Sequence, residues 1–255
     1  MKRLALVIAF FLAATACSSS TKPKAEDPAL DNPLYSLTLM RQGSLLLQQG
    51  RYESALEKFE QAAKLSPGNA TVYNMKGLCY MRMEQYDQAL SAFDDALALI
   101  PSFTDARNNR GATYLAMGQY RMAEVDFNAV LADSTYPHKY EVYYNLAMTY
   151  LQRGLTASAK EYFRKAINPG QPVFEAYLRL ADIERQEGAT ETAIGLLEEA
   201  TIKFPTRIEA PLALAKLLLE VGRREEAETY LRQVITDEPS SASAEEARRL
   251  LEGDG

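Results

Sequence analysis

From about residue 36 onward, apolar residues recur at helical spacing among polar ones, and the whole pattern repeats every 34 residues. Each of the first three copies has a glycine, an alanine 12 positions later and a phenylalanine four positions after that. These residues are Gly43, Ala55 and Phe59, then Gly77, Ala89 and Phe93, then Gly111, Ala123 and Phe127. A fixed period of this length predicts a chain of similar supersecondary units rather than one irregular core.

The residues between these positions predict two helices in each unit. The first helix is expected to end at a glycine such as Gly50 or Gly118, which tolerates the left-handed conformation of a helix terminus. The second is expected to end at a proline such as Pro67 or Pro101, which cannot continue a helix. Two helices cannot bury their apolar faces alone, so we expect neighbouring units to stack into a solenoid with a concave face.

The spacing continues through six units and predicts a final helix. An insertion around residues 136–139 displaces the fourth unit by two residues. The last two units carry Glu184 and Leu218 where the preceding three carry tyrosine. The predicted units are residues 36–69, 70–103, 104–137, 140–173, 174–207 and 208–241. Residues 242–255 follow as a capping helix and tail, because Ala244, Ala247 and Leu250 share one helix face.

This pattern resembles the tetratricopeptide repeat (TPR), in which a small residue, an aromatic residue, alanine, phenylalanine and proline stand at fixed offsets. The resemblance implies an all-α fold, a right-handed superhelical solenoid of six repeats plus a C-terminal capping helix. It also implies that a partner segment contacts fixed first-helix positions along the concave groove. The groove residues selected in this way are Leu37, Met40, Leu47, Asn74, Leu78, Met81, Asn108 and Tyr144.

The chemistry of these positions favours an apolar partner segment. Leucine and methionine at the amino end of the groove suit an amphipathic helix or an extended segment. The groove lacks the cluster of lysines and arginines that would clamp a terminal carboxylate, which argues against binding of chaperone tails. An alternative stays open at this point, since Leu30, Leu34 and Tyr35 could fold back and cover the apolar patch themselves.

The first 16 residues have the pattern of a secretory signal. Lys2 and Arg3 precede an apolar stretch, residues 4–16, which ends in the small residues Ala-Thr-Ala. This stretch is too short to span a bilayer, which argues against a membrane anchor. Residues 17–35 are rich in serine and proline with mixed charge, and they predict a flexible tether between the signal and the repeats.

Cys17 directly follows the small residues, and this junction resembles the lipobox of bacterial lipoproteins. The resemblance implies that residues 1–16 form a lipoprotein signal peptide and that Cys17 becomes a fatty-acylated N-terminus with palmitate among its chains. Ala14 departs from the pattern, in which leucine is the commonest residue. Ser18 after the cysteine implies export to the outer membrane, and we expect the protein to face the periplasm.

Composition narrows the remaining function classes. The net charge of −6 over 255 residues argues against a nucleic-acid partner, because such binding depends on clustered lysine and arginine. One histidine and two cysteines leave too few ligands for a typical zinc site, and no cofactor is expected. Cys79 is expected to be a small buried apolar residue. His138 lies in the insertion, where a surface histidine is the simpler interpretation than a catalytic one.

No catalytic constellation, phosphate-binding glycine loop or nucleophile motif is present in the sequence, so we predict a non-enzymatic protein. A lipobox, a tether and six repeats together resemble the pilotins, outer-membrane lipoproteins of type IV pilus biogenesis (PilF/PilW/Tgl type). The resemblance implies help with localisation and multimer assembly of a secretin subunit through contacts in the groove, without a small-molecule substrate. The alternative is another cell-envelope TPR lipoprotein, either for outer-membrane barrel assembly or as an adaptor for peptidoglycan hydrolases.

Overall fold

The computed structural model describes residues 33–167, 170 and 172–253. This part of the chain contains thirteen α-helices and no strand, which confirms the all-α prediction. The helices are α1 Pro33–Gln48, α2 Tyr52–Leu65, α3 Ala70–Arg82, α4 Tyr86–Leu99, α5 Thr104–Ala116, α6 Tyr120–Ala132, α7 Lys139–Gln152, α8 Thr156–Ala166, α9 Phe174–Gln186, α10 Thr190–Lys203, α11 Glu209–Glu220, α12 Arg224–Asp237 and α13 Ala242–Glu252.

The helices pack as six pairs in a solenoid. Each odd-numbered helix from α1 to α11 packs on the even-numbered helix that follows it, and each pair contacts the next pair along the chain. The final helix, α13, packs on α12 and α11 and buries Ala244 and Ala247 completely. The predicted solenoid of six helix pairs with a capping helix is therefore confirmed.

The first helix begins earlier than the sequence predicts. Residues 33–35, expected in the tether, form the first turn of α1. Proline is favoured at the first helical position because that position needs no backbone N–H, so Pro33 starts the helix instead of delaying it. The buried hydroxyl of Ser36 donates to the carbonyl oxygen of Ala62 at 3.4 Å and ties this turn to α2. The predicted signal peptide, Cys17 and the rest of the predicted tether lie outside the described residues.

Within each of the first three pairs, a glycine on the first helix faces a phenylalanine on the second. A Cβ atom added at Gly43 would lie 2.8 Å from the ring of Phe59, and one at Gly111 would lie 2.9 Å from the ring of Phe127. Both rings are fully buried. The repeated small residue therefore exists because the ring of its own unit occupies the space where a side chain would be.

The turn between the two helices of a unit requires a left-handed residue. Gly118 occupies this position in the third pair with φ +72°, and the second pair has Glu84 there with φ 60°. A non-glycine residue in this conformation costs roughly 1–2 kcal/mol.

We expect Glu84→Gly to raise the free energy of unfolding by about 1 kcal/mol, as measured by urea denaturation. Gly118→Ala should lower it by a similar amount, and a destabilised Glu84→Gly protein would contradict this explanation.

Candidate partner-binding groove

The first helices of the pairs line the inner face of the solenoid. Contacts join α1 to α3, α3 to α5 and α5 to α7 directly, in addition to the contacts that each helix makes within its own pair. Helices that touch across neighbouring units lie on the concave side, where the curvature brings successive units together. The groove is therefore formed mainly by side chains of the odd-numbered helices, as the repeat pattern predicts.

Three depressions follow one another along this face. The first lies between α1 and α3 and measures about 610 Å³, the second between α5 and α7 measures about 620 Å³, and the third between α9 and α11 measures about 260 Å³. The first is lined by Leu47, Gln48, Gln49, Gly50, Tyr52, Leu78 and Arg82. The second is lined by Leu115, Ala116, Met117, Gly118, Tyr120, Tyr144, Asn145, Met148 and Gln152.

The predicted residues at the amino end of the groove are partly brought together. Leu47 and Leu78 share the first depression, and Met81 is half-buried in the same helix as Leu78. Leu37 leaves 57% of its surface exposed near the start of α1. Met40 is half-buried, and its sulfur accepts a hydrogen bond from the side-chain amide of Asn69 at 3.5 Å. The apolar character expected here is present, although most of these side chains also contribute to packing.

Asn74 does not present its side chain to a partner, contrary to the sequence prediction. It is 3% exposed, and its Oδ1 accepts a hydrogen bond from Nδ2 of Asn109 at 3.0 Å. This bond joins α3 to α5, so Asn74 holds two units together. Asn108 is half-buried, and its Oδ1 is buried without a hydrogen-bond partner in the described part of the chain.

Tyr144 lies in the second depression together with Met148. Its ring centroid is 5.8 Å from that of Phe163, at an interplanar angle of 56°. An aromatic contact of this kind fixes the ring against the core of the fourth pair while one edge remains available to the groove. Tyr144 is thus both a packing residue and a groove residue.

Two buried carboxylates belong to ion-pair networks that reach across unit boundaries, and neither role was predicted from the sequence. Asp126 on α6 accepts hydrogen bonds from Arg110 on α5, with Nη2–Oδ1 at 2.7 Å, and Arg110 also contacts Asp94 on α4 at 2.6 Å. Glu184 on α9 accepts from Lys160 on α8 at 2.8 Å. Asp126 and Glu184 are 2% and 4% exposed, and both need these partners because an unpaired buried charge is costly. For Glu184, the signal in the sequence was an acidic residue at the repeat position where the preceding three units carry tyrosine.

The structure shows the surroundings of Cys79 and His138, the two residues with reactive side chains that the sequence raised. Cys79 is fully buried, and this burial raises the pKa of its thiol to about 12, so the thiol stays protonated and unreactive at neutral pH. His138 is exposed, with its Nδ1 3.6 Å from Glu141.

Across the described ranges, no group of three histidine, cysteine or acidic residues is arranged to hold a metal ion. Among the thirteen helices just defined, none is long and apolar enough to cross a membrane.

Sequence models of the tetratricopeptide repeat match residues 40–116, 140–168 and 184–252, which together are more than half of the chain. Among curated proteins, the CTR9 homolog of Arabidopsis thaliana is 29% identical over 113 residues, which are 42% of this chain and 10% of that protein. The chain spans only 10–21% of the length of the curated relatives it matches. These relatives therefore support the repeat and no particular activity.

Two solved structures resemble nearly the whole solenoid. PilF of Pseudomonas aeruginosa superposes with a TM-score of 0.68 at 22% identity, covering 84% of this chain and 97% of PilF. PilW, described as a widely conserved type IV pilus biogenesis factor, superposes with a TM-score of 0.70 at 20% identity, covering 84% and 98%. Identity at this level establishes a shared fold. The chain belongs to the tetratricopeptide-repeat family and is a helical scaffold for contacts between proteins.

Proposed function

We propose that this protein is a lipid-anchored outer-membrane scaffold of type IV pilus biogenesis, which helps a secretin subunit to reach the outer membrane and assemble into multimers. The observation that carries the proposal is the extent of the structural match. PilF and PilW are each covered almost end to end, at 97% and 98%, by one chain of six helix pairs and a capping helix. The lipobox-like junction at Cys17 supplies independent support from the sequence.

In this proposal, one part of the chain binds the membrane and another part binds the partner. Acylated Cys17 holds the protein at the membrane, because several acyl chains bind a bilayer far more firmly than one. The solenoid holds the partner, with Leu47 and Leu78 in the first depression and Tyr144 with Met148 in the second. An amphipathic segment of the secretin would place apolar side chains in these depressions. No catalytic step and no cofactor are needed.

Deletion of the gene tests this function. We expect the deletion strain to lose most of its secretin multimers on immunoblots and to lose twitching motility. Complementation with the unaltered chain should restore both the multimers and the motility. The Cys17→Ser variant should restore neither, and it should be absent from the outer-membrane fraction. Normal secretin multimers in the deletion strain would sink the proposal. If multimers are normal but barrel proteins or peptidoglycan hydrolysis are disturbed, the chain serves another envelope assembly instead.

A further inference from the structure

The third depression, between α9 and α11, differs from the other two in having an apolar floor inside a ring of charges. Its floor consists of Leu178, Ala181, Leu197, Ala213 and Leu217, and its rim consists of Asp182, Arg185, Lys216 and Glu220. The small residues Ala181 and Ala213 stand on the two facing helices, and their short side chains leave the space open. A volume of about 260 Å³ accommodates one large apolar side chain, since an apolar cavity of about 150 Å³ holds benzene.

The rim carries both signs of charge, and the order of signs is reversed between its two walls. On α9 the acid Asp182 precedes the base Arg185, whereas on α11 the base Lys216 precedes the acid Glu220. Two acids and two bases line the rim, and Lys216 is also paired with Glu246 of α13 at 2.7 Å, so the depression has no excess of positive charge. This balance disfavours a polyanion or an isolated carboxylate, both of which need an excess of positive charge. It matches a segment that carries an acid and a base of its own, about one helical turn apart.

The charges that bridge the depression are weakly held. Arg185 reaches across from α9 to Glu220 on α11 at 3.5 Å, and their side chains are 43% and 55% exposed. Arg185 also pairs with Asp182 at 3.1 Å on its own helix. Exposed ion pairs of this kind contribute little to stability. An incoming segment can therefore displace the bridge at small cost and pair with the same side chains.

We propose that this depression is an anchoring pocket for a partner segment. The occupant is an amphipathic helix with one large aliphatic or aromatic side chain, flanked by an acidic and a basic residue. The anchor side chain fills the space above Leu197 and Leu217, each 4% exposed. Its flanking charges pair with Arg185 and Glu220 in place of the bridge. The inference rests on the proposed function only in taking the concave groove to hold a protein segment.

A designed peptide tests the pocket directly. The probe is a fluorescein-labelled 16-residue helical peptide with one phenylalanine, flanked by glutamate and lysine one turn apart, and the matched probe has alanine in place of phenylalanine. Fluorescence anisotropy with the full-length protein should show at least about tenfold tighter binding of the phenylalanine peptide, from burial of the ring. Equal affinity for the two peptides would overturn the proposal.

Two variants of the protein locate the binding. Ala213→Phe fills the depression and should weaken binding of the phenylalanine peptide at least about tenfold, whereas Ala129→Phe on the exposed face of α6 should not change it. Because Ala213→Phe could disturb packing, the exposed substitution Arg185→Glu provides a second test. It should weaken binding roughly threefold to tenfold, and a peptide with lysine in place of its glutamate should recover the loss. Binding that is indifferent to both variants would overturn the proposal.

The remaining outcomes separate this inference from the proposed function. Light scattering should give a monomer, and a dimer that Ala213→Phe converts to monomer would mean that a second copy fills the depression, which overturns the proposal. If the secretin is captured equally by Ala213→Phe protein, the pocket fails while the scaffold function stands. If the deletion strain keeps its secretin multimers but the designed peptide binds as expected, the scaffold function fails while the pocket stands.

Discussion

Replacing Phe93 with alanine is expected to lower the free energy of unfolding by about 3–5 kcal/mol. Phe93 is fully buried, and its ring fills the space left by Gly77 on the facing helix of its own pair. Removal of the ring leaves a cavity between α3 and α4 that glycine cannot fill. Since domains are stable by only about 5–15 kcal/mol, this change removes a large part of the total.

Urea denaturation followed by circular dichroism measures this loss. Leu99→Ala provides the control, because Leu99 lies at the end of α4 and is 42% exposed, so its removal should cost no more than about 0.5 kcal/mol. Stability in a solenoid depends on contacts between neighbouring units, so the Phe93→Ala protein should lose helicity first around the second pair. Equal, small effects of the two substitutions would show that the rings do not hold the pairs together.

Under the proposed function, the double substitution Leu47→Glu with Met81→Glu is expected to weaken binding of the proposed secretin partner about a hundredfold. Both side chains are half-buried at the amino end of the groove, and Leu47 lines the first depression. A partner that covers them would have to bury two carboxylates without cationic partners, at a cost of roughly 1–3 kcal/mol each. Calorimetric titration with the periplasmic part of the secretin measures the change.

Val125→Glu is the matched control for this experiment, because Val125 lies on α6 and is 63% exposed. It introduces one carboxylate outside the groove and should leave the affinity unchanged. Circular dichroism should show equal helicity for both proteins, which separates a lost contact from a lost fold. An unchanged affinity of the double variant would place the partner on another surface.

The repeating part of the fold could be predicted from the sequence because every unit carries its own markers. Gly77 and Phe93 report on the same close approach within a pair, and their counterparts recur at a constant distance along the chain. The start of α1 was missed because it lies before the first copy, where no period exists to mark it. There the residue at which the helix begins depends on one local preference, that of proline at position 33 for the first helical position.

The candidate groove could be predicted only in part. The repeat assigns positions to the concave face, but whether a side chain is available depends on its neighbour in the next unit. The side chain of Asn74 is bonded to Asn109 of the next unit, and Arg185 of the fifth unit bridges to Glu220 of the sixth. Asp126 pairs with Arg110 inside its own helix pair, and Arg110 in turn reaches Asp94 of the preceding unit. These contacts between units are a property of the stacked solenoid.

Photo-crosslinking from within the groove tests the central claim most directly, namely that the concave face of this scaffold holds a pilus secretin. A benzophenone amino acid at position 144 replaces Tyr144, which lines the second depression, and the same group at position 125 replaces exposed Val125. After irradiation of living cells, the account predicts an adduct with the secretin from position 144 and none from position 125. An adduct with the secretin from position 125 alone, or no secretin adduct from position 144, would contradict it.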